Sequence, residues 1–455
     1  MPYSGAVYRA WVAVGLILVA SAPAEAGGPV IVGGTPRAIG RAGTSVASDD
    51  AGGALLVNPA GLARRDATRF QLGVALVDDA IAWDPDRADA PIARDQAGSR
   101  LAPLGAVVGE VRGWILGAGI STAAIRERAL RDPSDVPATN VGGAFEYRYT
   151  GVAGRLRRDV LTVGVARRIG DAAALGLSIG ASRISLGETR RLWAGFAGIT
   201  DVGDPRRDLQ LALAGTDPFV PGATAGVLLA PVDSPMELAM SIAWTARTEI
   251  EGDVAAEGTA GGPSVSLDGP RARLAFRHPI AARAGARYLG DRYVVELGGD
   301  LWISPRSARQ ATWHVDGVRV IDPSTVSAPV ARVPSRLSQR THGAIRGALD
   351  VELIAGFLWA TAGYAFTIGG TSEPRLSPTL ADLGGHTVAL GIEGNAGGVT
   401  YTLGWSRTFA VTRRGGEAFA LDNPFAAGDA TVALGSYDGS ADQLGVLVDI
   451  ELGPR

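Results

Sequence analysis

Five arginines between positions 271 and 287 are the first residues in this chain whose types and spacing suggest chemistry. Arg271, Arg273, Arg277, Arg283 and Arg287 carry odd numbers, whereas Leu274, Phe276, Ile280, Ala282 and Tyr288 carry even ones. Successive residues of an extended strand point to opposite faces, so the pattern predicts a ladder of guanidinium groups on one face, with Pro279 as a place where it can bulge. Glu296 and Asp300 in the next segment, and Asp350 and Glu352 in the one after, are suited as partners. Two roles stay open for the ladder. It is a lattice of ion pairs, or one of its arginines binds a ligand carboxylate through two charge-assisted N–H donors.

Other reactive residue types offer less. His278, His314, His342 and His386 have no metal-ligand spacing such as HExxH, and no GxSxG elbow, P-loop or dinucleotide fingerprint is present. With no cysteine, zinc-thiolate sites, disulfides and thiol nucleophiles are excluded. The expectation is a protein that is not an enzyme and holds neither metal nor cofactor. A formal net charge of -3 over 455 residues gives no reason to expect nucleic acid as a partner. All 43 basic residues are arginine, and 63 residues are glycine.

The elements that must position these groups show in the periodicity. Residues 1–26 have the layout of a secretory signal: Arg9, an apolar run from Trp11 to Ala20 too short to span a bilayer, and the small-x-small site Ala24-Glu25-Ala26. From residue 67 to 455 one device repeats, a segment of about ten residues alternating apolar with small or polar, then a turn. Val399, Tyr401, Leu403, Trp405, Arg407 and Phe409 alternate with Thr400, Thr402, Gly404, Ser406 and Thr408, and Leu444, Val446, Val448, Ile450 and Leu452 stand against Asp449 and Glu451. A soluble sandwich also alternates, so the connections decide. Short ones near 111–113, 168–171, 231–235, 288–291, 355–357 and 395–398 interleave with long ones near 77–102, 122–157, 187–222, 249–270, 304–343, 369–384 and 411–441. Six short and seven long connections predict an all-β fold, a 14-stranded antiparallel transmembrane β-barrel with short periplasmic turns, long outer loops and both termini on the periplasmic side. Arginines at mid-depth on the lipid face would each cost ~2–4 kcal/mol, so the ladder is expected in the lumen.

Residues 27–66 break the strand pattern. They are rich in alanine and glycine, with a carboxylate pair, Asp49 and Asp50, and a turn at Asn58, Pro59 and Ala60. Short packed helices inside the lumen would suit this composition, with the aspartates paired to lumen arginines and the turn hydrogen-bonding the plug to the wall. Gly40-Arg41-Ala42, Ala47-Ser48-Asp49-Asp50-Ala51-Gly52 and Asn58-Pro59-Ala60-Gly61-Leu62 together resemble, in order and spacing, the N-terminal hatch of the FadL family. Gly363-Tyr364-Ala365 and Gly385 to Gly391 resemble its late strands more weakly.

The resemblance implies an outer-membrane transporter of a Gram-negative bacterium, acting as a monomer among outer-membrane lipids. Such proteins pass long-chain fatty acids or, in some members, aromatic hydrocarbons. Ligand is captured in an outer groove, passed to a pocket near the hatch and released by hatch movement and a gap in the barrel wall, which the sequence does not locate. The third outer loop, 187–222, would supply the groove through Leu192, Trp193, Phe196, Ile199 and Phe219; the alternative is that these residues pack the loop onto the rim. A structural or adhesion barrel without transport and a general diffusion porin are the competing functions, the latter disfavoured by a plugged lumen. The chain departs from most outer-membrane barrels in ending Ile450-Glu451-Leu452-Gly453-Pro454-Arg455, with no terminal aromatic residue.

Overall fold

Two-residue turns set the register of the wall. Arg112 and Gly113 both have positive φ, as do Gly397 and Gly398, the conformation that lets a tight turn follow the right-handed twist of its flanking strands. The computed structural model describes residues 34–64, 67–86, 91–131, 143–195, 207–258, 262–321, 326–415, 425 and 435–452. Within them run fourteen antiparallel strands: β1 (Thr68–Pro85), β2 (Arg100–Val111), β3 (Trp114–Ala129), β4 (Ala153–Ile169), β5 (Ala173–Trp193), β6 (Asp208–Leu229), β7 (Met236–Thr245 continuing as Thr248–Gly258), β8 (Ser264–Phe276 continuing as Ile280–Leu289), β9 (Tyr293–Ile303), β10 (His342–Ile354), β11 (Leu358–Ile368), β12 (Gly384–Ala396), β13 (Val399–Ala410) and β14 (Gly435–Leu452). Each pairs with the next, and β14 pairs with β1 from Thr68↔Leu452 to Pro85↔Gly435, so the sheet closes. Closure satisfies the backbone where no water can. The residues from 1 to 26, expected as a signal, lie outside the described residues, as do Phe196 and Ile199.

The outward face is apolar over a continuous band. Leu72, Val74 and Leu76 on β1, Leu161 and Val163 on β4, Leu403 on β13 and Val446 on β14 are all exposed. Lumen-facing neighbours are polar and buried, among them Arg69, Gln71, Glu237, Glu296, Asp350 and Asp449. The strands outrun the band. β5 and β6 stay paired as far as Trp193↔Asp208, well inside the segment expected as a loop. Above the band, Ile184, Leu186, Leu209, Leu211, Leu213, Trp313 and Val315 form one buried apolar cluster. The outer "loops" are thus a second storey of sheet with its own core. Glu188 ties that storey down, accepting from Trp313 Nε1 at 3.0 Å, Arg336 N at 2.9 Å and the Ser335 hydroxyl.

The storeys are offset. In β8 the buried residues are Ala272, Leu274 and Phe276 above but Ala281 below, and in β7 they are Ile250 and Val254 above but Glu237 and Ala239 below. The inward face changes parity across Arg277–Pro279 and the facing Ala246–Arg247, where neither strand is continuous. Proline has no N–H for the ladder, and an interrupted strand can resume with the other set of side chains inward.

Inside the lumen lie α1 (Pro36–Ile39), α2 (Gly52–Val57) and a 3-10 turn, Pro59–Arg64. Thr35 caps α1 through its hydroxyl, which accepts from Ala38 N at 3.1 Å. These pieces are too short to be stable alone and depend on the wall. The wall receives them at glycines. A Cβ at Gly176 would stand 2.2 Å from the backbone of Pro59 and Ala60, and one at Gly404 2.2 Å from the Pro36 carbonyl oxygen. Gly176→Ala is therefore expected to unseat the Asn58–Ala60 turn and cost about 1–3 kcal/mol, the usual range for overpacking. Planar-bilayer recording checks it: added ion conductance with a lowered thermal midpoint is the expected outcome, and a silent, equally stable variant contradicts it.

Candidate functional site: the hatch-floored cavity and the wall beside it

Ion pairs hold the hatch from several sides. Arg41, only 2% exposed, reaches Glu296 at 2.7 Å and also pairs with Asp350. Glu296 in turn accepts from Ala47 N at 2.9 Å. Arg37 pairs with Glu393 at 3.1 Å, Arg64 with Glu237 at 2.8 Å, and Asp50 with Arg69 of β1 at 2.9 Å. Asn58 donates to Val46 O at 3.0 Å and to the wall carbonyl of Val227 at 3.3 Å, while its own Oδ1 accepts from Ala60 N at 3.3 Å. Pro59 of the same turn packs at Gly176.

Asp49 differs from Asp50. It is buried, and its Oδ2 has no hydrogen-bond partner among the described residues. Burial, opposed by Arg37 and helped by nearby Asp50 and Glu296, pushes its carboxyl up to about 7. A carboxyl whose pKa is raised on folding stabilises fully below its unfolded value, near 4, and that contribution is lost as pH rises through about 7.

The expected arginine ladder does not share one face. Arg283 and Arg287, on the lower half of β8, face the lumen beside Asp300 (3.9 Å) and Glu237 (3.3 Å). Arg271, Arg273 and Arg277, above the break, are exposed on the outside of the second storey, where Arg273 meets Glu251 at 3.8 Å. The lumen lattice expected of those three is corrected by the change of parity at Pro279; above the lipid band an outward arginine stands in water. Asp300 joins Arg283 to Arg346, which donates at 2.7 Å and reaches Ala42 O of the hatch at 2.8 Å. Glu352 caps the short β10–β11 turn, accepting from Gly356 N at 2.6 Å, and stands apart from the ladder.

The outer-loop residues are also dispersed. Leu192 and Trp193 are buried in the second storey, packed where a groove was expected, while Phe219, 68% exposed, projects outward from an irregular stretch of β6. Pairing of β5 with β6 as far as Trp193↔Asp208 carries Leu192 and Trp193 into the upper sheet, away from Phe219.

Above the hatch lies a cavity of about 360 Å³. Val46, Leu55, Leu56 and Val57 of the hatch form its apolar floor, and Trp302 adds aromatic surface. Trp302 stacks on His342 with ring centroids 4.3 Å apart and planes 10° from parallel. Two arginines line it without full compensation. Among the described residues Arg158 donates only to hydroxyls, Ser182 at 3.0 Å and Thr245 at 3.1 Å. Arg283 has a buried Nη1 with no partner among the described residues, and its charge is felt by Arg158. Arg158 escaped the sequence reading because it stood at the very edge of the segment assigned to a loop, 122–157, whereas the strand already starts at Ala153; the run Arg157-Arg158-Asp159 was the available signal.

The cavity also reaches the wall. Pairing of β2 with β3 stops at Leu104↔Ser121 and is resumed only by Gln96 N donating to Ala129 O at 2.8 Å. Between these points residues 97–103 and 122–128 make no ladder with each other. An extra residue in β3, between Thr122 and Ala124, shifts its register against β4. Such a bulge bends the strand. Ala123, Ala124 and Ile125 at the bend line the cavity. Above them Arg126 and Arg128 cross to Asp79 of β1, Arg126 at 2.6 Å. No single strand's alternation reports this gap, although the small-residue run Ser121-Thr122-Ala123-Ala124 breaks the local pattern.

Asp49→Asn removes the titration without changing shape. Between pH 5 and pH 8.5 the wild-type thermal midpoint should fall more than the variant's, by the equivalent of at most roughly 4 kcal/mol for a three-unit shift. Parallel pH profiles from scanning calorimetry would contradict a buried, proton-holding Asp49.

Comparison with known proteins follows the same lines. No sequence-family model matches the chain, and no curated relative does. Solved structures do. A FadL homologue of Pseudomonas aeruginosa aligns with a TM-score of 0.72 at 15% identity, covering 94% of this chain and all of the other. The toluene transporter TodX of P. putida gives 0.67 at 15% identity over 95% and 100%, and the monoaromatic hydrocarbon channel CymD gives 0.63 at 13% over 93% and 98%. The closed fourteen-stranded barrel with short N-terminal helices in its lumen thus matches the fold of these FadL-like structures.

Proposed function

We propose that the protein passes hydrophobic small molecules, long-chain fatty acids foremost, across the outer membrane of a Gram-negative bacterium without energy coupling. In this reading residues 1–26 direct export, 27–66 form the hatch and 67–455 the barrel. One observation carries it: an apolar-floored cavity above an ion-paired hatch, with Arg158 and Arg283 lacking full carboxylate compensation among the described residues. A cavity of this size falls in the range that holds small ligands. An alkyl chain would lie on Val46, Leu55 and Leu56 while a carboxylate would meet the arginine pair, a charge-assisted contact that a hydrocarbon cannot make. The hatch, held by ion pairs and glycine sockets, opposes free ion flow and so opposes a diffusion porin. The gap between β2 and β3 offers a route that leaves the hatch in place.

Uptake of an aromatic hydrocarbon is the second reading, favoured by the Trp302–His342 stack in the cavity wall. Titrating purified protein with oleate and a neutral alkane of matched length separates the two. Saturable oleate binding, weakened about 10- to 100-fold in Arg158→Ala/Arg283→Ala with alkane binding unchanged, is expected, since a hydrogen bond to a charged group contributes about 1.5–3 kcal/mol. Equal binding of acid and alkane, unaffected by the double substitution, would favour hydrocarbon traffic. No binding of either would leave a structural or adhesion barrel.

A further inference from the structure

The unpaired stretch of wall between β2 and β3 has two rims of different chemistry. Below, Ala102, Val77 and Ile125 pack with Ile39 of the hatch in one buried apolar cluster. Above are charges in two layers. The inner layer is Asp79 with Arg126 and Arg128, whose guanidinium groups also donate to the carbonyls of Leu380 and Ala381 at 2.7–3.2 Å. Those side chains are almost fully buried, and they anchor the bent half of β3 to β1 and to the 370–383 segment. The outer layer is a single pair. Arg100 at the start of β2 donates through Nε to Glu127 Oε2 at 2.7 Å, directly across the gap. Its side chains are 31% and 42% exposed.

The two layers differ in what they can do. The inner one is buried and multiply bonded, so losing a member leaves a stranded charge. The outer pair sits in a screened, wet setting and joins two strands that share no backbone bond at this height. Exposed pairs hold weakly and are loosened by salt. We infer that Arg100–Glu127 is a reversible bar across a side window in the barrel wall, and that hydrophobic cargo passes beneath the charges when the bar parts. The inference rests on the transport reading above and adds to it the residues that control passage.

Two kinds of variant test it, using the full-length protein in Gram-negative cells. Arg100→Gln and Glu127→Gln should each raise the initial rate of labelled oleate uptake about three- to fivefold, the scale of an exposed ion pair. The exchange Arg100→Glu/Glu127→Arg should return it to the wild-type rate. The chain has no cysteine of its own, so Arg100→Cys/Glu127→Cys can be joined selectively by a short bismaleimide. Joining should slow uptake below wild type, while oleate titration of the same protein in detergent stays unchanged. Heat-modifiability on gels shows that each barrel is folded. Uptake that ignores neutralisation, exchange and cross-linking alike, with oleate still bound in detergent, overturns the bar and leaves the transport reading standing. Wild-type protein that neither binds nor takes up oleate overturns both.

Discussion

Everything in this molecule depends on the need to pair every backbone N–H and C=O of the segment that meets lipid. The sheet meets it by bringing β14 back to β1 along eighteen residue pairs, from Thr68↔Leu452 to Pro85↔Gly435. Closure has a second consequence. Fourteen strands enclose more space than their own inward side chains fill, so the lumen needs a filling. The N-terminal residues supply it, and their helices, four and six residues long, exist because the wall holds them.

How the wall holds them explains two features of composition. Inward glycines at 176, 226, 363 and 404 let hatch backbone and side chains approach closer than any Cβ permits. The remaining contacts are charged. Taking an arginine such as Arg41 from water is expensive, and only a close pair of carboxylates, Glu296 and Asp350, offsets that cost. Such networks add little net stability compared with apolar packing, yet they are specific: a hatch shifted by one residue would leave Arg41, Arg37 and Arg64 without partners. The hatch is therefore fastened more by position than by energy, while the adjoining cavity keeps Arg158 and one edge of Arg283 uncompensated. The contrast between a fully paired floor and an incompletely paired cavity wall is what turns a plugged barrel into a candidate binding site.

The wall itself is not uniform. Where β3 bends, the ladder to β2 lapses and side chains take over the bridging, buried ones from Arg126 and Arg128 to Asp79 and an exposed one from Arg100 to Glu127. The gap opens at the upper edge of the lipid band, where outward Leu76 pairs with Leu101, and above that edge the need for continuous pairing relaxes because water can satisfy the backbone. Consistent with this, Asp78, Arg157 and Asp159 face outward or lie half-exposed at this height. A gap in a membrane barrel is physically cheapest at such a level.

The sequence by itself determined the class of fold, the number of strands, the short turns and the segment that fills the lumen. Each of these follows from local rules: a period of two, turn residues with positive φ, and an alanine- and glycine-rich stretch that cannot continue the alternation. It also placed Glu296, Asp300 and Asp350 in the lumen, since their strands run unbroken. Only the tertiary structure decided the rest. Arg271, Arg273 and Arg277 part from Arg283 and Arg287 because parity changes at Pro279, and Leu192 and Trp193 disappear into a second storey because β5 and β6 stay paired beyond the lipid band. Arg158 stands uncompensated, and the wall opens beside Ala123, through relations between strands that are not neighbours in sequence. Alternation specifies which residues share a face of one strand; which way that face turns, and what meets it across the lumen, is set when the sheet closes.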